Sequence, residues 1–151
     1  MSNIAIILLR NFNKKVQMFM VAQKHYCYDC IHCHNRNCSE HIEYTNPAGK
    51  IHKGESNKDA AKREFLEETG QHLPDINIDN MKIYEDCDTI IIISVLNETT
   101  LEFKKVDSDE IEFVKWVDID DIPKLKLRSI FSKLYHSYVD IWETIASKTE
   151  S

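Results

Sequence analysis

The stretch that decides the fold is Gly49-Lys-Ile-His-Lys-Gly-Glu55-Ser-Asn-Lys-Asp-Ala-Ala-Lys-Arg63-Glu64-Phe65-Leu-Glu67-Glu68-Thr-Gly70. Ser56 is a residue type that caps a helix N-terminus, and Asp59 stands three positions on, approximating a capping box. A helix over 57–69 is predicted, closed by Gly70 as a left-handed C-terminal cap. Glu64, Glu67 and Glu68 stand at i, i+3 and i+4 and therefore share one helix face. Like charges at that spacing destabilise a helix unless something positive compensates. With Glu55 one loop earlier they make an oxygen-rich cage, the donor set that suits hard cations such as Mg²⁺ or Mn²⁺. Ala61 and Phe65 fall on the opposite face, small and apolar, fit to press on a sheet. Arg63 has the reach to pair with Glu55 or a helix carboxylate and so to fix a ligand's rotamer. Gly49 permits a close backbone approach that would turn its carbonyl to a metal.

The plainer explanation is a solvated acidic helix face. It must also account for Gly49, Glu55, Arg63 and Gly70 at fixed spacing. Those residues, with Glu64, Glu67 and Glu68, resemble the Nudix box: Gly, five residues, Glu, seven residues, Arg-Glu-apolar-any-Glu-Glu-any-Gly-apolar. All seven fixed positions match, and at ordinary residue usage a chance match is about 10⁻⁸ per window. Phe65 supplies the first apolar position, whereas Gln71 replaces the last one. His52 stands where many members carry an acidic residue. The resemblance implies an α/β/α sandwich with a central mixed sheet. It also implies hydrolysis of a nucleoside diphosphate linked to another moiety, with water attacking phosphorus. It makes Glu64, Glu67 and Glu68 metal ligands, with Glu55 and the Gly49 carbonyl contributing or supporting. The base is Glu64 itself or a carboxylate from a later loop. Asp107-Ser-Asp109-Glu110-Ile-Glu112-Phe-Val-Lys-Trp116 resembles the acidic loop and Trp strand of many members, mRNA decapping enzymes included, which puts Glu110 first and Glu112 second. Gly49-Lys50-Ile51 and Trp116 are similar to decapping and viral members, and the Lys, Ile and Asn richness suits an AT-rich genome.

Outward from the box, Asn3 to Arg10 reads as a strand buried on both faces, Asn11 to Lys15 as a polar turn, and Val16 to Gln23 as the second arm of a hairpin. Ile42 to Tyr44 reads as a short strand. Further strands are expected over 81–84, 89–96, 101–103 and 111–117. From Lys126 to Lys148, apolar residues from Leu127 through Phe131, Leu134 and Trp142 to Ile145 recur at helical spacing, which predicts a helix packed on the sheet. Strands followed by helices at two places imply a sheet covered by helices. The whole chain, 1–151, is expected to form one domain with an insertion at 25–41.

That insertion holds Cys27, Cys30, Cys33, Cys38, His32, His34 and His41. Cys27-x2-Cys30 and Cys38-x2-His41 form two knuckle-like pairs suited to a closed, structural zinc site, with Cys33 an alternative ligand. Cys87 stands alone and reads as a small buried residue.

The net charge of −6 disfavours non-specific binding to duplex DNA, since proteins that coat nucleic acid carry a basic excess. A small anionic substrate, or capped RNA, stays compatible because bound cations invert the local field. Lys50, Lys53 and Lys58 flank the box and are placed to meet phosphates; Tyr84 and Phe103 are candidates to stack on a base, although strand aromatics more often pack in the core. The apolar run Ile4 to Leu9 is too short to span a membrane and lacks the flanks of a signal peptide, so a cytoplasmic location is expected. Two other classes compete with a hydrolase: a Nudix-like module that binds nucleotide or RNA without cutting it, and a zinc-stapled nucleic-acid domain. The intact set of box carboxylates speaks against the first, and the net acidity against the second.

Overall fold

A computed structural model of the chain describes residues 2–24, 42–74, 82–86, 88–96, 100–106 and 110–149. Among them run strands β1 (Asn3–Phe12), β2 (Lys15–Lys24), β3 (Ile42–Thr45) and β4 (Ala48–Lys50), helix α1 (Asn57–Thr69), strands β5 (Lys82–Asp86), β6 (Thr89–Leu96), β7 (Lys104–Lys105) and β8 (Ile111–Asp118), a 3₁₀ helix (Ile119–Lys124) and helix α2 (Ser129–Thr149). The strands form one mixed sheet in the order β5-β6-β1-β2-β8-β7. β1 and β6 are parallel, and β1 with β2 and β2 with β8 are antiparallel.

β1 and β2 are joined more tightly than the polar turn suggested. Only Asn13 and Lys14 lie between them, at φ 51° and 65°, the left-handed pair of a type I′ hairpin. The two strands then diverge. β1 keeps β2 as a partner only from Leu9 onward, and β2 takes β3 from Val21 onward. Asn46 and Pro47 sit at the fork, where the Pro47 carbonyl accepts the Ile6 N–H at 2.9 Å. β4 then runs antiparallel to the start of β1, with Gly49 opposite Ile4.

Alternation along the strands fills two cores. Ile4, Ile6, Leu8, Phe19 and Val21 face α1, where they meet Ala60, Ala61 and Phe65. Ala5, Ile7, Leu9, Met18 and Met20 face α2, where they meet Phe131, Leu134, Tyr135 and Trp142. The result is a helix, sheet, helix sandwich. Ser56 caps α1 by accepting the Asp59 N–H at 3.1 Å, and Gly70 closes it at φ 68°.

Three expectations change. Residues 101–103 are not a strand; the strand there is Lys104–Lys105, paired with β8. Helix α2 begins at Ser129, because Leu127 instead makes a parallel bridge with Tyr44. Ile130, one of the apolar residues in the span predicted to pack on the sheet, is 61% exposed. The 3₁₀ helix was not anticipated; it carries Ile119 and Ile122 into the α2 core and contains Pro123.

Phe65 is the largest side chain joining α1 to the sheet and is fully buried against Phe19, with ring centroids 5.9 Å apart. Phe65→Ala is expected to cost about 3–5 kcal/mol, as for other large-to-small core changes, read as a lower urea midpoint with unchanged slope.

Candidate active site

The site lies where β4, the loop after it and α1 meet. The loop turns at Gly54, at φ 81°, and brings Glu55 back so that one carboxylate oxygen accepts the His52 N–H at 3.0 Å. Gly49 lies directly against Glu64. A Cβ at Gly49 would collide with the Glu64 carboxyl group, so glycine is required here for close approach rather than for its dihedral freedom.

Arg63 is the hub. Its Nε and Nη2 donate to the two oxygens of Glu55 at 2.8 and 3.0 Å, a bidentate pair. Nη1 donates to Glu64 at 2.8 Å and to Glu67 at 3.3 Å. Nη2 also donates to the Lys50 carbonyl at 2.8 Å. The Arg63 hydrogen bonds, helped by the His52 N–H, pull the Glu55 carboxyl down to about 2. The same bonds raise the Arg63 guanidinium, so both stay charged across all working conditions. The side chains of Glu55 and Glu64 are only 14% and 12% exposed, against 58% for Glu67.

Glu68 differs in kind. It turns toward the sheet, where one oxygen accepts the Ala48 N–H at 3.2 Å. Burial pushes its carboxyl up to about 8, against the pull of the Ala48 N–H; the charge of Glu64 adds to the rise, Arg128 opposes it and Glu67 adds again. Glu64 and Glu68, the second shielded by burial and only partly compensated by the Ala48 N–H and Arg128, are oxygen donors of the kind that suits a hard divalent cation. Among the described residues, however, no three His, Cys, Asp or Glu side chains already stand together as a metal cage.

On the α2 side of the fork lies a cavity of about 370 Å³, lined by Ala5, Asn46, Ala48, Gly49, Arg128 and Lys133 among others. It therefore shares Ala48 and Gly49 with the carboxylate cluster. Arg128 and Lys133 escaped the sequence reading. Both fell inside a span read as amphipathic helix, and nothing in the local pattern marks Arg128 as the last residue before the helix.

The remaining candidates are scattered. Glu110 is not among the carboxylates that Arg63 gathers; its backbone carbonyl accepts the Lys24 N–H at 2.7 Å, at the far end of β2. Glu112 pairs with Lys24 at 3.5 Å. The side chains of Lys50, Lys53 and Lys58 are exposed around the loop and the start of α1. Gln71, the departure from the box, clamps Glu102: its amide donates to the Glu102 carbonyl at 3.1 Å and accepts the Glu102 N–H at 3.3 Å. Cys27, Cys30, Cys33, Cys38 and His41, with Cys87, lie outside the described residues, as does the Tyr84 side chain.

An α/β/α sandwich whose glycine-led loop and acidic helix are locked by one arginine is the architecture of a known class. The family model of the NUDIX domain matches residues 1–138, and the chain belongs to the Nudix family. The Nudix domain of Shewanella oneidensis NrtR, solved in complex with ADP-ribose, superposes at a TM-score of 0.61 with 14% identity, covering 91% of this chain and 85% of that one. A Caenorhabditis elegans Ap4A hydrolase binary complex gives 0.58 at 18% identity, with 94% and 97% covered. The Mycobacterium smegmatis Nudix hydrolase RenU gives 0.58 at 12% identity, with 96% and 88% covered. Among curated proteins, none matches by sequence.

Two outcomes follow from this geometry. Gly49→Ala should displace the Glu64 carboxylate and lower turnover by about 10–100-fold, as misplacing a ligand's support does, while circular dichroism stays that of the parent. The second concerns pH. In metal-free protein the folded pKa of Glu68 lies above its unfolded value of about 4.3, so the folded state holds an extra proton between about 4.3 and 8. That contribution to stability is complete below about 4.3 and is lost as pH rises toward 8. Melting temperatures of chelator-treated protein should show that slope, and Glu68→Gln should flatten it.

Proposed function

We propose that this chain hydrolyses a pyrophosphate linkage in a nucleotide-type substrate, with Mg²⁺ or Mn²⁺ held by the box carboxylates. The observation that carries the reading is Glu68: a largely shielded carboxyl beside Glu64, only partly compensated by the Ala48 N–H and Arg128, near a cavity roomy enough for a nucleoside. Glu64, Glu67 and Glu68 would hold the cation, with the Gly49 carbonyl and Glu55 contributing. When bound, the cation supplies charge neutralisation on the phosphate oxygens and a more acidic water.

The chain's own residues supply the rest. Arg63 keeps Glu55 and Glu64 in fixed rotamers, so that reaching the reactive arrangement costs little reordering. Lys50 and Lys53, on the loop after β4, meet the phosphate chain from the open side. Arg128 and Lys133 meet anionic groups of the moiety seated in the cavity. The water oxygen forms a bond to phosphorus as the bridging P–O bond breaks, and the water's proton passes to a carboxylate. Glu64 is nearest the cluster and takes that role first; Glu110 would need to approach from the start of β8.

The neighbours' names suggest ADP-ribose and Ap4A as substrates to try, and the box resemblance adds the others. ADP-ribose, Ap4A, nucleoside triphosphates, capped RNA and diphosphoinositol phosphates would be incubated with Mg²⁺ or Mn²⁺ and the two phosphate-bearing products of each separated and quantified by chromatography. At least one is expected to be cleaved. Glu67→Gln and Glu68→Gln are expected to lose about three powers of ten, the scale of several kcal/mol of metal-derived stabilisation. Binding without cleavage across the whole panel would instead mark a non-catalytic module.

A further inference from the structure

Phe103 is 56% exposed, yet its segment is anchored on every side. Leu101 is buried and its carbonyl accepts the Trp116 indole N–H at 2.9 Å. Gln71 grips both backbone groups of Glu102, and the Lys104 ammonium donates to the Gly70 carbonyl at 3.0 Å. Phe103 is thus a large ring held in place with more than half of its surface open to a ligand.

The ring is the first of a row. Its centroid lies 5.6 Å from that of Phe113, which lies 6.1 Å from that of Tyr44. The Lys115 ammonium stands 5.4 Å from the Phe113 centroid and 5.7 Å from that of Tyr44. Lys105 is the cross-strand partner of Phe113 and shares its face. Glu112, the acidic neighbour on β8, is taken up by Lys24. In a chain of net charge −6, this face gathers rings and cations.

The row leads to the cavity. The Arg128 N–H donates to the Tyr44 carbonyl at 3.0 Å, and Arg128, Thr45 and Asn46 all line that cavity. Aromatic faces interleaved with cations are what stack nucleobases while tracking a phosphate chain.

We propose that Phe103, Phe113 and Tyr44, with Lys115, form a stacking platform for a second nucleobase, one joined through phosphates to the group seated in the cavity. The substrate class is thereby a two-base phosphate ester. Its source is either a dinucleoside polyphosphate or a capped RNA. The inference rests on the hydrolase reading only for which bond is cut.

The test separates the two. Full-length Glu67→Gln protein, with and without Phe103→Ala, would be titrated with Ap4A, a capped ten-nucleotide RNA and, as the one-base control, ATP, all with Mg²⁺. Phe103 is exposed, so its loss leaves the core intact; Phe113→Leu serves as a second variant. Phe103→Ala is expected to weaken Ap4A or the RNA by about 5- to 150-fold, the scale of one stacked base, with ATP unchanged and Phe103→Trp restoring affinity. The probe that responds identifies the source. Unchanged two-base binding, an equal loss for ATP, failure of the Trp variant to rescue, or no binding of any probe would overturn the platform. Hydrolysis is scored separately on the unsubstituted protein. Cleavage with no Phe103 effect removes the platform alone, and a Phe103 effect without cleavage removes the hydrolase reading alone.

Discussion

The guanidinium of Arg63 ties together three pieces of chain that would otherwise repel or drift. It joins the Glu55 loop to α1 through a bidentate pair, holds the end of β4 through the Lys50 carbonyl, and draws Glu64 and Glu67 into one place. Without it, Glu64 and Glu67 would be like charges on one helix face, with Glu55 unfixed beside them. A lysine would carry the charge but not the fork; five donors in a plane serve five acceptor oxygens.

That hub works only because the sheet delivers β4 to the right place. The hairpin strands part after a few paired residues, and the fork is closed by β3, Asn46-Pro47 and β4. Pro47 has no N–H to satisfy, and its carbonyl supplies the bond that Ile6 needs. The crossing lays Ala48 and Gly49 between the two faces of the sheet. Glu68 and Glu64 reach them from α1, and the cavity opens to them from the α2 side. One short strand thus connects the carboxylates with the pocket.

The parts legible in the sequence are those governed by short-range physics. Ser56, Gly70 and the spacing of Glu64, Glu67 and Glu68 fix α1 and its acidic face within a few residues of chain. The continuous apolar run Ile4 to Leu9 marks β1 as buried on both faces, as the two cores that it feeds require. What could not be read depends on pairing at a distance. Leu127 looks helical by period but bridges Tyr44, so α2 starts later and Arg128 is left beside the cavity. Leu101 to Phe103 looks like a strand but is not one. Gln71, itself a departure from the box, holds Glu102 as a strand neighbour would, and this leaves Phe103 outside the core. The 3₁₀ helix brings Ile119 and Ile122 inward through a spacing too short to announce a period.

Glu68 shows why the site is more than an acidic surface. A carboxyl that is shielded from water, beside two others and granted only one backbone N–H, does not help the metal-free chain to fold. Glutamine in that place could keep an oxygen for the Ala48 N–H and would remove the repulsion. Arg128 offsets part of the charge from across the fork, yet it also faces the cavity and bonds Gln23 at 3.2 Å, so it is not committed to Glu68. A group that costs stability where it stands, near a roomy pocket and a cluster held by Arg63, is one that a ligand from outside the chain could compensate. A small, hard cation would meet that need, because it takes oxygen ligands from more than one carboxylate at once.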